Sequence, residues 1–358
     1  MDIRHEIRQW LAEHLPGSIG TLDERLQWER TLADGGWNCV GWPVEYGGRG
    51  LTLEQQMAVH EEYALSGAPP RIAVVGEELL GPTLMAFGTE AQRARFLPRI
   101  RSGEEQWCQG YSEPGAGSDL ANVSTGATLD GDRWLINGQK IWTSWAHISD
   151  WAFVLARTTP GSHRHTGLSY LLVPMRQPGV TVRPIRQLTG TSEFNEVFFD
   201  NATTEPDLVV GSVGDGWKVA MATLGFERGV AMLGHQVRFR RELDGIIALA
   251  RANGTIDDPL IRDRLTRAWI GLETMRAYTL TGDSQPSVAK LLWGSWHRGL
   301  GELAMDVIGA SSTTVDGDAL SEWQHLYLFS RAETIYGGSD EIQRNIIAHR
   351  HLSLPRPS

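Results

Sequence analysis

The amino-acid sequence predicts an α+β protein in which a strand-rich domain lies between two helical domains. Hydrophobic residues recur every three or four positions up to about residue 106, at every second position over 107–211, and then every three or four positions again. This order differs from the alternating βαβ order of a doubly wound nucleotide-binding fold. We therefore expect an N-terminal all-α domain over 1–106, a small β-barrel or sandwich over 107–211 and a helical domain over 212–358.

Helix-start signals support the first domain. Thr52 with Gln55, and Thr89 with Gln92, have the spacing of a capping box and stand just before apolar residues at helical spacing. The segment 42–50, WPVEYGGRG, interrupts that pattern with a proline and three glycines. We expect a loop there, because glycine allows turns that other residues rarely adopt.

Turn signals divide the middle domain into short strands. Asp130-Gly131 and Asn137-Gly138 predict hairpin turns, because both residue pairs tolerate a positive φ. Several short strands at regular spacing are typical of a small barrel or sandwich.

The last domain begins its clearest helix at Asp258-Pro259, an N-cap residue followed by proline in the first turn. One apolar helix face then follows, formed by Ile261, Leu265, Ala268, Leu272 and Met275.

Composition limits the class of partner. The chain has 358 residues, 41% of them apolar, and a formal net charge of −10. This acidic balance disfavours nucleic acid and anionic lipid, so we expect a small-molecule partner. Cys39 and Cys108 form no CxxC pair, and the histidines form no HExxH motif, so we expect no disulfide framework and no metal site. The sequence shows no signal peptide or membrane span, and the cytoplasm is the expected compartment.

The most distinctive segment is 110–119, GYSEPGAGSD, at the start of the strand-rich region. It combines glycines, which let a backbone approach a ligand closely, with hydroxyl and acidic side chains. The sequence contains no GxGxxG motif after a strand and no P-loop, so a bound nucleotide would need a different kind of binding site. From these residues alone, a binding loop and a polar turn leading into a strand are equal alternatives.

Separated motifs resemble those of the acyl-CoA dehydrogenase family, in the family's order and over essentially the whole chain. The segment 110–119 is similar to its first signature, and three further segments follow: KIWTSWAHISDW at 140–151, GDGWKVAMATLGFERG at 214–229 and IYGGSDEIQRNII at 335–347. The resemblance implies a C-terminal four-helix bundle and FAD as cofactor. It also implies dehydrogenation of an acyl-CoA or acyl carrier protein thioester.

The resemblance also implies roles for individual residues. By position, Ser112 lies beside the flavin, Trp142 and Ser144 line its ring, and Ser118 lies near the thioester arm of the substrate. The other implied positions are Ser339, Glu341 and Gly309 at the cofactor, and Arg228 and Gly337 at the substrate. The alternatives are ordinary strand packing for Trp142 and solvated turns for the serines.

Glu227 is the implied catalytic base. Many family members carry a glutamate after the tyrosine of the C-terminal motif, but here that position is Gly337, which cannot accept a proton. Other members carry the base on the first long helix of the last domain, directly before an arginine, as Glu227 stands before Arg228. An ion pair on a solvated helix face is the alternative for Glu227.

The implied reaction removes a proton from the carbon next to the thioester and passes the β-hydrogen as hydride to N5 of the flavin, leaving a trans-2-enoyl thioester. In the family, a base on this helix accompanies bulky, branched or long acyl groups. The departures from the common pattern, RFRRELDGIIALARANG at 238–254 and Gly309-Ala310, resemble a subgroup from actinobacterial-type lipid and steroid side-chain degradation.

The resemblance implies two protein partners: an electron-transferring flavoprotein, and further subunits in a homotetramer or in a heterotetramer with a second acyl-CoA dehydrogenase-like chain. Two alternatives keep the same fold. One is an acyl-CoA oxidase or flavin monooxygenase, and the other is a flavin-containing nucleic-acid-binding relative, against which the net charge of −10 counts.

Overall fold

The computed structural model describes residues 2–227, 231–281, 285–315, 317 and 319–355, with the backbone alone for residues 227 and 231–235. The chain forms two compact units. One comprises Met1–Arg186 with Ser192–Val230, and the other comprises Gln187–Thr191 with Ala231–Ser358. Within the described residues, no helix is long and apolar enough to cross a membrane.

Helices form the start of the first unit. Two of them begin at Thr52 and Thr89 with both hydrogen bonds of the predicted capping boxes. The predicted loop over 42–50 contains a short 3₁₀ turn, Val44–Tyr46. The helices are α1 (Ile3–His14), α2 (Leu22–Asp34), α3 (Leu53–Leu65), a π-helix (Val75–Leu80), α4 (Gly81–Phe87) and α5 (Glu90–Arg101).

One sheet follows these helices, so the predicted α+β class and the strand-rich middle are confirmed. Its strands are β1 (Trp107–Gly110), β2 (Gly126–Asp130), β3 (Arg133–Ser144), β4 (Trp151–Arg157), β5 (Leu168–Pro174), β6 (Val180–Pro184), β7 (Phe194–Thr204) and β8 (Val209–Val210). Their order is β6-β7-β3-β2-β4-β5-β8, with β1 paired to β4. β2 and β4 share the single residue pair Gly126 and Arg157, and within the described residues the sheet does not close into a barrel.

The two predicted hairpin turns have different outcomes. Asp130-Gly131 turns the chain between β2 and β3, with Gly131 at φ +60. The hairpin predicted at Asn137-Gly138 is wrong, because this pair lies inside β3 at a shift in its register with β7. Gly138 adopts φ +151, and a Cβ there would lie 2.4 Å from Oγ1 of Thr125. The extra residue of this shift lies on β7, where Asn201 has a φ of +53, so the glycine at position 138 serves the close approach of Thr125.

The first unit ends with α6 (Gly216–Glu227), which packs against α4 and β5. Thr223 is fully buried, and its hydroxyl lies 2.8 Å from that of Thr83 on α4. At the start of the helix, a Cβ on Gly216 would lie 2.5 Å from the backbone of Ser169. The absence of a side chain at position 216 therefore allows α6 to begin directly against β5.

The second unit is helical. Its helices are α7 (Ala231–Ala252), α8 (Pro259–Leu280), α9 (Pro286–Ile308), α10 (Glu322–Ser330), α11 (Asp340–Ile346) and a π-helix (Ile347–His351). α8 begins as predicted, since the Asp258 carboxylate accepts the N–H of Leu260 and Pro259 occupies the first turn. α7, α8, α9 and α10 share one apolar core, which includes Phe239 and Leu300.

Candidate active site

Trp142 on β3 has an outward-facing side chain. The register of β3 with β7 shifts again between Lys140 and Thr143, here with the extra residue on β3, and such a bulge reverses which side chains of β3 face the core. Lys140 and Thr143 are buried, whereas Trp142 is 56% exposed. Its φ is +60, a backbone conformation that bulky residues rarely adopt and that concentrates at functional sites. The bulge therefore presents a large flat apolar surface.

Residues of β7 hold this bulge in place. Asn195 is fully buried, and its side-chain amide donates to the backbone oxygen of Thr143 at 3.0 Å. Ser144 pairs in register with Phe194, whose ring meets the Trp142 indole edge-on with the centroids 6.3 Å apart. Because strand side chains alternate, Ser144 lies on the same face of β3 as Trp142. The structure thus brings together the two residues predicted to line the flavin.

The first signature segment folds as a tight turn beside β3. Glu113 and Ala116 exchange two backbone hydrogen bonds, of 3.1 and 3.0 Å. Just before this turn, the backbone oxygen of Ser112 accepts the N–H of Ile141 at 2.9 Å. Ser112 therefore lies beside Ile141 of β3, the residue directly before the exposed Trp142.

A buried ion pair between Lys140 and Glu113 lies at the base of this turn. Lys140 is 0% exposed, and its ammonium donates to Glu113 Oε1 at 2.8 Å. Burial alone would raise the pKa of Glu113, but the Lys140 charge and the hydrogen bonds outweigh it and lower the pKa to about 2. Burial lowers the pKa of Lys140 to about 8, although Glu113 acts in the opposite direction. Both groups are therefore charged at neutral pH.

Sequence reasoning assigns neither Lys140 nor Glu113 a role, although a signal for the pair is present. Trp134, Ile136 and Lys140 occupy alternate positions of β3, and all three are buried. Alternation alone thus places the lysine inward, where a charged group requires a partner. The acid that meets it stands in the signature segment.

The other predicted residues of the first unit are Ser118 and Glu227. Ser118 is exposed in the bend that follows the tight turn. Glu227 is the last residue of α6. The side chain of Glu227 and the whole of Arg228 lie outside the described residues, so the roles of both stay predictions.

In the second unit, the residues predicted from the C-terminal motif lie at the start of α11. Gly337 adopts φ +63, and the buried Gln343 donates from its side-chain amide to the Gly337 oxygen at 3.1 Å. Ser339 is the N-cap of α11, and Glu341 in the first turn is 78% exposed. Gly309, also predicted at the cofactor, ends α9 with φ +70.

A buried polar cluster precedes this motif, and sequence reasoning misses it. His297 is 1% exposed, with Nε2 2.6 Å from Glu242 and Nδ1 hydrogen-bonded to Glu333. Hydrogen bonds to two different carboxyl groups thus engage both ring nitrogens. Burial would lower the pKa of His297, but the two glutamates outweigh it and raise the pKa. Arg238 donates to the Glu333 carboxylate at 3.0 Å, and Lys290 donates to the Glu333 backbone oxygen.

Comparison with known proteins identifies the family. The acyl-CoA dehydrogenase models match in chain order: the N-terminal domain over residues 1–104, the middle domain over 108–202 and the C-terminal domain over 214–352. The chain belongs to the acyl-CoA dehydrogenase family. This acyl-CoA dehydrogenase is accordingly an oxidoreductase acting on a CH–CH group of acyl thioesters.

Individual relatives match this acyl-CoA dehydrogenase over nearly its full length. Acyl-CoA dehydrogenase IpdE1 of Mycobacterium tuberculosis (strain ATCC 25618 / H37Rv) is 59% identical, over 99% of this chain and 98% of that protein. The solved structure "Tcur3481-Tcur3483 steroid ACAD" is similar with a TM-score of 0.88 at 29% identity, over 99% of this chain and 97% of that chain. The ChsE4-ChsE5 complex from Mycobacterium tuberculosis gives a TM-score of 0.86 at 29% identity, over the same shares.

Proposed function

We propose that this acyl-CoA dehydrogenase binds FAD and converts an acyl-CoA or acyl carrier protein thioester to the trans-2-enoyl thioester, with Glu227 as the base. The observation that carries the proposal is the exposed indole of Trp142 at a positive φ, on the same strand face as Ser144 and beside Ser112. A tryptophan that served strand packing would face the core. Outward exposure on a strained backbone favours contact with a ligand.

The described residues of the first unit fit a site for the flavin of FAD. In the first unit, the indole supplies a flat apolar surface for a ring, and the hydroxyls of Ser112 and Ser144 supply hydrogen-bonding groups. In the second unit, the predicted roles of Ser339, Glu341 and Gly309 in cofactor binding stay part of the proposal. When bound, FAD would accept the β-hydrogen of the substrate with its electron pair.

Glu227 is the proposed base because the alternative position carries no side chain. Gly337 stands where other family members carry a glutamate, and its φ of +63 favours glycine. Glu227 ends α6 one turn after Thr223, which is anchored by its hydrogen bond to Thr83. A carboxylate on an anchored helix can be held over the substrate carbon next to the thioester. Removal of the proton from that carbon becomes easier when hydrogen-bond donors stabilise the negative charge that develops on the thioester oxygen.

We propose a bulky acyl group, steroid-like rather than short and straight, as the substrate. A solved relative described as a steroid ACAD supports this choice. We propose a homotetramer, or a heterotetramer with a second subunit of the family; the relative described as the ChsE4-ChsE5 complex supports a partner of a different kind. We also propose an electron-transferring flavoprotein as the acceptor and the cytoplasm as the compartment, where the two free, buried cysteines would stay reduced.

The three predicted domains, 1–106, 107–211 and 212–358, remain part of this proposal. The matched family models, 1–104, 108–202 and 214–352, begin and end close to these ranges and support them.

Anaerobic bleaching of the bound flavin tests the function. The purified protein is mixed with a panel of acyl thioesters from straight-chain to steroid-like, and the flavin absorbance is followed. Glu227→Gln should keep the flavin but bleach at least about 100-fold more slowly, the scale of a lost general base. Glu54→Gln makes the same charge change at an exposed residue in the first turn of α3 and should bleach at the parent rate.

Two outcomes would change the assignment. Bleaching of Glu227→Gln at the parent rate would refute the base. Rapid oxygen consumption by the parent protein would favour the acyl-CoA oxidase alternative.

A further inference from the structure

We propose that Lys140 and Glu113 are positioning residues for the cofactor site, and that their ion pair holds the backbone of Ser112 in place beside Trp142. The proposal rests on the proposed function, because its consequences are measured on bound FAD. It extends the site to two residues that the family resemblance leaves without a role.

The Lys140 ammonium is saturated by acceptors from separate segments. Besides Glu113, it donates to the backbone oxygen of Tyr111 at 3.0 Å and to that of Leu155 on β4 at 2.7 Å. A fully buried ammonium has three protons to satisfy, and all three have partners here. Any movement of the signature segment away from β3 would therefore leave a buried charge incompletely paired.

The Glu113 carboxylate is equally occupied. Its Oε2 accepts the N–H of Ser124 at 2.7 Å and the Ser124 hydroxyl at 2.8 Å. Its Oε1 accepts the N–H of Thr125 at 2.9 Å in addition to Lys140. The pair thus ties together the signature turn, the approach to β2, and strands β3 and β4.

Ser112 lies between the two residues that Lys140 binds, Tyr111 and Glu113. The Ser112 backbone oxygen accepts the N–H of Ile141. Residues 111–113 are therefore each hydrogen-bonded to Lys140 or Ile141, the two residues that directly precede Trp142. Hydrophobic side chains of similar volume fill a core as well as an ion pair does, but they do not orient carbonyl oxygens. A charged pair at this place therefore points to alignment of Ser112 with Trp142 and not to core stability alone.

The test compares the flavin in the parent holoenzyme with that in Lys140→Met and in the double variant Lys140→Met/Glu113→Gln. The double variant removes both charges, so no unpaired ion is left in the core. We expect both variants to shift the absorption bands and the midpoint potential of the flavin. We also expect FAD to dissociate at least about tenfold faster, as the loss of one or two well-placed hydrogen bonds would give.

Arg71→Met is the matched control. Arg71 is an ion-pair centre of the same unit, only 15% exposed, 2.7 Å from Glu29 and 2.5 Å from Glu77. Its loss should lower the unfolding midpoint but leave the spectrum and the potential of the flavin unchanged. If Lys140 only stabilised the fold, its variants would likewise show a lower unfolding midpoint with an unchanged spectrum and potential of the flavin.

Each outcome decides between the hypotheses. A parent protein without flavin refutes the proposed function and this proposal with it. If the parent binds flavin and the folded double variant has the parent spectrum, potential and dissociation rate, only the positioning role is overturned. Failure of the double variant to fold also overturns it, because the pair would then serve the core.

Discussion

Replacement of His297 by leucine tests the charged core of the second unit. The substitution keeps the approximate volume but removes both hydrogen bonds of the ring, to Glu242 and to Glu333. Glu333 is 0% exposed and keeps Arg238 at 3.0 Å, so its charge stays partly compensated. Breaking a buried pair costs about 3–5 kcal/mol, and we expect about 3 kcal/mol here because Arg238 remains.

The same substitution should change the pH dependence of stability. The pKa of His297 in the folded protein is raised above 6.5, since Glu242 and Glu333 outweigh the opposing effect of burial. The folded protein therefore holds a proton that the unfolded chain releases near pH 6.5. This stabilisation is fully present below pH 6.5 and is lost as the pH rises through the higher folded pKa. His297→Leu has no such proton to lose.

Urea unfolding followed by tryptophan fluorescence, repeated from about pH 6 to about pH 9, measures both effects. The control is His351→Leu, which removes an exposed histidine at the end of the second unit's π-helix. The change in the free energy of unfolding with rising pH should be more negative in the parent and in the control than in His297→Leu, which lacks the His297 contribution. Parallel pH profiles for His297→Leu and the parent would refute the buried imidazolium.

Two further substitutions test the first unit. Trp142→Ala should weaken FAD binding by about fivefold or more, which is the effect of losing one aromatic contact. The unfolding midpoint should change little, because the indole is 56% exposed. A loss of stability with unchanged FAD affinity would indicate ordinary packing. Gly216→Ala should lower the free energy of unfolding in urea by about 1–3 kcal/mol, because its Cβ would lie 2.5 Å from the Ser169 backbone. Gly225→Ala on the same helix, where a Cβ would meet nothing within 4 Å, should not destabilise, and equal losses at both glycines would contradict this reasoning.

Local signals predicted the elements well where the interacting residues are close in sequence. The capping boxes at Thr52 and Thr89 and the N-cap at Asp258 formed as expected, because each needs a partner only two or three residues away. The same local reasoning wrongly predicted a hairpin turn at Asn137-Gly138. Gly138 does adopt a positive φ, but inside a continuous strand that packs closely on Thr125, and no local signal distinguishes this from a turn.

The sequence by itself determined the family, the order of helices and strands and the positions of the candidate site residues, since motifs and hydrophobic periodicity are local properties of the chain. Only the tertiary structure decided that Trp142 faces outward, because that depends on a register shift against β7. Tertiary structure also decided the pairing of Lys140 with Glu113, 27 residues away, and of His297 with Glu333, 36 residues away. A buried charge requires a partner, but which partner it finds depends on how distant segments meet in the folded chain.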